Sequence, residues 1–89
     1  MSYLEAYEKF STARYGSVRE TQCKWILEWL DDFGEITPLV AMRELGIMRL
    51  AARVHDIESR MGIRIDREMV TEISRYGLKV RYMKYKKAV

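Results

Sequence analysis

This 89-residue sequence predicts a mainly helical fold closed by a small β-hairpin, on three observations. Apolar residues recur at helical spacing from Gln22 to Phe33 and again from Leu50 to Met61. The stretch from Thr37 to Val54 reads as two short helices hinged at Gly46. After Gly62 the period drops to two: Ile63 and Ile65 flank Arg64, and Leu78, Val80 and Tyr82 alternate with Lys79 and Arg81.

In chain order, Tyr3, Leu4, Tyr7 and Phe10 fit one side of a helix from about Leu4 to Ala13, interrupted by Ser11, Gly16 and Ser17. Ser17 or Thr21 can cap the next helix, where Cys23, Ile26, Leu27, Leu30 and Phe33 form the apolar stripe and Gly34 ends it. Trp25 and Trp29, four apart, widen that stripe beyond what a small three-helix core needs. Cover by the N-terminal segment is expected, with a second subunit as the alternative. Thr37-Pro38 starts the third helix, because the threonine hydroxyl caps free N–H groups and proline suits the first position. Leu39, Met42 and Leu45 are expected on its apolar face with Ala41 beside them. Gly46 tolerates a left-handed backbone and turns the chain, Ile47 packs under the turn, and the fourth helix begins near Met48.

That fourth helix divides sharply. Leu50, Val54, Ile57 and Met61 share one face, while Arg49, Ala52, Arg53, Asp56 and Arg60 are expected on the far side. Met69, Val70 and Ile73 are expected in a strand, Tyr76-Gly77 in a hairpin turn, and Lys84, Lys86 and Lys87 in a frayed basic tail. Three helices followed by a hairpin make a winged helix-turn-helix. Residues 1–20 form an extra helical segment and residues 21–89 the domain.

The net charge of +3 is unevenly spread. Residues 1–36 carry four basic and seven acidic side chains; residues 60–89 carry nine basic and three acidic, and from Arg75 onward there is no acid. Polyanion binding is therefore favoured at the basic end. No apolar run approaches the roughly 20 residues of a membrane span. No secretion signal is seen at Met1-Ser2-Tyr3-Leu4-Glu5, and the lone Cys23 is expected as a buried, inert thiol, so the cytoplasm is the expected compartment.

The run Gln22, Ile26-Leu27, Leu30, Gly34-Glu35-Ile36-Thr37-Pro38, Ala41, Leu45-Gly46-Ile47, Arg49-Leu50-Ala51-Ala52-Arg53-Val54, Asp56-Ile57 and Gly62-Ile63-x-Ile65 resembles the small helix-turn-helix domains encoded by phages and prophages. The likeness extends to Gly77 and Tyr82, covers about residues 21 to 85, and is most specific at Arg49–Val54. It implies a winged-helix fold and a DNA-binding role. Small phage proteins on such scaffolds also include inhibitors of host machinery.

The candidate DNA-contacting residues are Arg49, Ala52, Arg53, Asp56 and Arg60 on the fourth helix, with Arg75, Lys79 and Arg81 on the hairpin. Strand alternation should put Lys79 and Arg81 opposite Val80 and Tyr82. The plainer reading of the helix is a solvated face tied by Arg53–Asp56 and Asp56–Arg60 pairs, and that of the hairpin is edge lysine that discourages aggregation. Trp25, Trp29, Asp31, Asp32 and Glu35 are candidates for partner binding, because three acids at a helix end oppose its dipole. The single His55 has no second histidine or nearby cysteine to make a zinc site. With no nucleophile, phosphate-cradling glycine loop or metal set, the sequence predicts no enzyme and no cofactor.

The expected function is thus a phage-type DNA-binding regulator of transcription or replication, with double-stranded DNA as partner. A homodimer is one arrangement the scaffold allows. The rival expectation is a protein-interaction module that inhibits a host protein or nucleoprotein complex, of the anti-CRISPR kind.

Overall fold

A computed structural model describes residues 2–10 and 18–88, ordered α1 (Tyr3–Phe10), α2 (Val18–Phe33), β1 (Glu35–Ile36), α3 (Pro38–Leu45), α4 (Leu50–Met61), β2 (Ile65–Ile73) and β3 (Lys79–Lys87). The architecture is a winged helix-turn-helix, mainly helical, with a three-stranded antiparallel sheet in the order β1-β3-β2. Its core forms where α2, α4 and the sheet base meet. Cys23, Ile26, Leu27 and Leu30 of α2 are buried against Leu50, Val54 and Ile57 of α4, with Ile36, Ile65 and Tyr85 from the sheet. Full burial of one such aliphatic side chain is worth about 1.5–3 kcal/mol.

α2 begins four residues before the expected Gln22, so Thr21 lies inside the helix and does not cap it; Ser17 and Ala13 lie outside the described residues. Phe33, expected in the apolar stripe, is 62% exposed. α1 docks through Tyr3 and Tyr7, one turn apart and both buried. Its first turn is capped from a distance: Asp31 of α2 accepts the backbone N–H groups of Tyr3 (2.9 Å) and Leu4 (2.8 Å), while Lys87 Nζ stands 2.9 Å from the same carboxylate. The Tyr3 hydroxyl donates to the Arg64 carbonyl and accepts from the Ala88 N–H. Asp31 lies about 120° and 160° around α2 from Trp25 and Trp29, at about 100° per residue. α1 therefore covers a different side of α2 from the tryptophans it was expected to cover. Trp29 instead packs on Phe33 and donates Nε1–H to the Glu35 carbonyl at 3.1 Å, while Trp25 stays 42% exposed.

The hinge forms as its local signals require. Thr37 Oγ1 accepts the Val40 N–H at 3.3 Å, with Pro38 in the first position. Gly46 adopts φ +68°, and the Gly46 and Ile47 N–H groups close on the Met42 and Ala41 carbonyls. The expected apolar face is corrected: Ala41 is fully buried and Leu45 packs beside it, but Leu39 and Met42 face outward. The buried direction is set by Ala41, which lies about 40° from Leu45 but about 160° from Leu39 at about 100° per residue, so the inward face is centred away from Leu39 and Met42. α4 starts at Leu50 rather than Met48, because Arg49 still has a non-helical backbone.

β1, two residues long, pairs Glu35 with Lys86 and Ile36 with Tyr85. The strand expected at Ile63 starts at Ile65 and runs unbroken through Met69, Val70 and Ile73. The expected frayed tail is also corrected: Lys84, Lys86 and Lys87 belong to β3. The Ser74 N–H donates to the Leu78 carbonyl and Ser74 Oγ accepts the Leu78 N–H, closing the hairpin turn.

Candidate nucleic-acid interface

The apolar stripe of α4 turns Leu50, Val54 and Ile57 inward. The residues expected on its far side do not share one environment. Arg49 and Arg60 are exposed and Ala52 is half-buried. Arg53 and Asp56, however, have side chains only 13% and 15% exposed, with Arg53 Nε 3.4 Å from Asp56 Oδ2. Arg53 lies only about 70° from the stripe centre at about 100° per residue, and α2 covers that flank. Cys23 Sγ sits 3.8 Å from the Arg53 carbonyl, and Arg60 reaches Glu20 of α2 at 3.7 Å. The outward side of α4 instead presents Ala51, His55 and Ser59, with exposed Met48 just ahead of the helix. Sequence reasoning missed Ser59 and set His55 aside; projecting the helix from its stripe centre would have found both.

Arg49 and Arg53 do come together. With Gln22, Gly46 and Met48 they line an open recess of about 350 Å³ beside the helix-turn-helix hinge. Burial, and then the Asp56 carboxylate, push the neighbouring Cys23 thiol up to about 11. At neutral pH it is a protonated core group.

In the hairpin, register decides direction, since residues directly opposite share a face. Lys79 pairs with Ile73, Arg81 with Thr71 and Tyr85 with Arg67, so all six lie on one face. Val80 with Glu72 and Tyr82 with Val70 occupy the other, as strand alternation predicts. Arg67 forms a salt bridge with Glu58 of α4. Lys79 and Arg81 therefore project from the sheet face that meets α4.

The basic segment divides in two. Lys84 reaches Glu35 at 3.2 Å, Lys86 reaches Glu68 at 3.2 Å and Lys87 reaches Asp31. The hydrogen bond and charge of Glu35 hold the Lys84 ammonium above the ordinary lysine value. Arg75, Lys79 and Arg81 have no acidic partner among the described residues. The sequence count of uncompensated charge is right for the tip and wrong for the base. Asp31 and Glu35, expected as a free acidic patch with Asp32, are spent on α1, Lys87 and Lys84; only Asp32 of the three faces solvent without an ion pair among the described residues.

Among the described residues no group of three His, Cys, Asp or Glu side chains converges to hold a metal ion, and no helix is long and apolar enough to cross a membrane. No match is found among curated proteins or solved structures. Residues 21–87 match the winged helix-turn-helix domain, a span that runs from the first turns of α2 to the end of β3. The chain belongs to the winged helix-turn-helix domain family.

Proposed function

We propose that the chain is a phage-type, cytoplasmic DNA-binding protein that regulates transcription or replication, with residues 21–89 as the binding domain and residues 1–20 as an extension. The observation that carries this reading is the shared side of α4 and the unpaired hairpin cations: Lys79 and Arg81 lie on the sheet face that Arg67 joins to Glu58. The outer surface of α4, with Arg49, Ala52, His55 and Ser59, enters the major groove, and Ala51 and Ala52 keep it slim enough to fit. Arg75, Lys79 and Arg81 hold the neighbouring phosphates. Arg53 and Asp56 take a supporting role, fixing α4 against α2, with Arg53 at the floor of the Arg49 recess. Arg60 contributes at the edge, since Glu20 already offsets its charge.

Fluorescence anisotropy with a labelled mixed-sequence duplex tests the reading. Affinity should fall steeply with salt, and Arg49→Ala should weaken binding by about 1–3 kcal/mol if Arg49 reaches a base edge. No binding to duplex at low salt would overturn it.

One observation favours the rival reading of a module that binds a host protein or nucleoprotein complex. The exposed Trp25 and Phe33 sit beside Asp32 on a side of α2 that α1 leaves open. On that reading, Trp25→Ser abolishes recovery of a stoichiometric partner that survives nuclease treatment, while Arg49→Ala does not.

A further inference from the structure

Between the start of α3 and the outer half of the hairpin lies a groove of about 340 Å³, lined by Thr37, Pro38, Leu39, Glu72, Val80 and Tyr82. Its apolar walls are side chains the core does not use: Leu39 is turned outward on α3, and Val80 lies on the sheet face away from Lys79 and Arg81. One charge stands in the groove. The Glu72 carboxylate accepts a hydrogen bond from the Tyr82 hydroxyl at 2.9 Å, which pushes the Tyr82 phenol up, and Glu72 has no ion pair among the described residues.

The occupant such a groove selects is an apolar group that carries a cation, and this chain displays one. At the hairpin tip Tyr76 is 82% exposed and Leu78 68% exposed, beside Arg75, which has no acidic partner among the described residues. Arg75 and Glu72 are three residues apart on the same hairpin. Two hairpins laid together about a twofold axis, Val80 sides facing, would form the Arg75–Glu72 pair twice, the self-complementarity that a twofold interface requires. We propose that the groove is a homodimer interface, in which the hairpin tip of each copy fills the groove of the other.

The free edge of β2 is a poorer route to the same dimer. Antiparallel self-pairing centred on Met69 would set Asp66 directly opposite Glu72 of the second copy, and like charges in that position are destabilising. The groove interface also leaves Lys79 and Arg81 free on the opposite face, so the dimer keeps two of the three tip cations for a polyanion, while Arg75, paired with Glu72 of the second copy, serves a phosphate only in the monomer.

Sedimentation velocity over a dilution series tests the proposal on the full chain without nucleic acid. The mass should rise with concentration from 10.6 kDa towards twice that value. Glu72→Arg alone or Arg75→Glu alone should weaken dimerisation by roughly tenfold or more, as expected for one member of a repeated charge pair. The double reversal Glu72→Arg with Arg75→Glu should restore it, and Leu39→Ser should weaken it with charge unchanged. Circular dichroism of each variant establishes that folding is retained. A chain that stays at 10.6 kDa to millimolar concentration overturns the proposal. So does a dimer indifferent to the single reversals, or one the double reversal fails to restore.

Discussion

The two halves of the hairpin carry similar numbers of basic residues and use them in opposite ways. At the base, Lys84, Lys86 and Lys87 lie next to buried Tyr85 in β3 and meet Glu35, Glu68 and Asp31 respectively. At the tip, Arg75, Lys79 and Arg81 stand beside exposed Tyr76 and Leu78 and meet no acid among the described residues. Charge along a sequence is therefore not charge on a surface. The fold brings Asp31 and Glu35 of the acidic N-terminal third onto the basic C-terminal strand and leaves the tip cations uncompensated among the described residues. Exposed ion pairs add little stability, about 0–1 kcal/mol each. Their larger effect at the base is to cancel positive charge.

The largest expected effect separates the halves by stability. Tyr85→Ala removes a buried ring that Arg67 stacks over at 5.6 Å, and should cost about 3–5 kcal/mol in urea unfolding. Leu78→Ala at the tip should stay within about 0.5 kcal/mol. Equal costs would break the division. A smaller effect sharpens the role of the base acids. Asp31→Ala removes the cap on α1 and the partner of Lys87 together, and should cost about 1–2 kcal/mol. Burial pushes this carboxyl up, but hydrogen bonds from Lys87, Leu4 and Tyr3 outweigh it and hold the folded-state value below 3.8. The stabilisation is therefore complete above pH 3.8 and disappears as pH falls through the lowered folded value. Unfolding curves of the wild-type protein and the variant should converge on acidification; a constant gap would mean that Asp31 acts by packing rather than charge.

The sequence exposes the features that local chemistry specifies. Thr37 and Gly46 act within one helical turn, so cap and hinge are legible without knowledge of the rest of the chain. The alternation of Lys79, Val80, Arg81 and Tyr82 is equally local, and the register bears it out. What stayed hidden depends on partners distant in sequence. The base lysines look like a tail because one apolar residue, Tyr85, gives too little period, and their order comes from Asp31, Glu35 and Glu68. β1 is too short to have a period. Arg53 and Asp56 seem solvent-facing until α2 is laid along their flank, which no pattern within α4 specifies.

The most direct test of the division is the salt dependence of duplex binding for two sets of variants. Tip substitutions Arg75→Ala, Lys79→Ala and Arg81→Ala should each reduce the slope of log K against log salt by about 0.9, the contribution of one phosphate contact on duplex DNA. Base substitutions Lys84→Gln and Lys86→Gln should leave the slope unchanged, because their charges are already spent on Glu35 and Glu68. A slope that falls equally for tip and base would contradict the account.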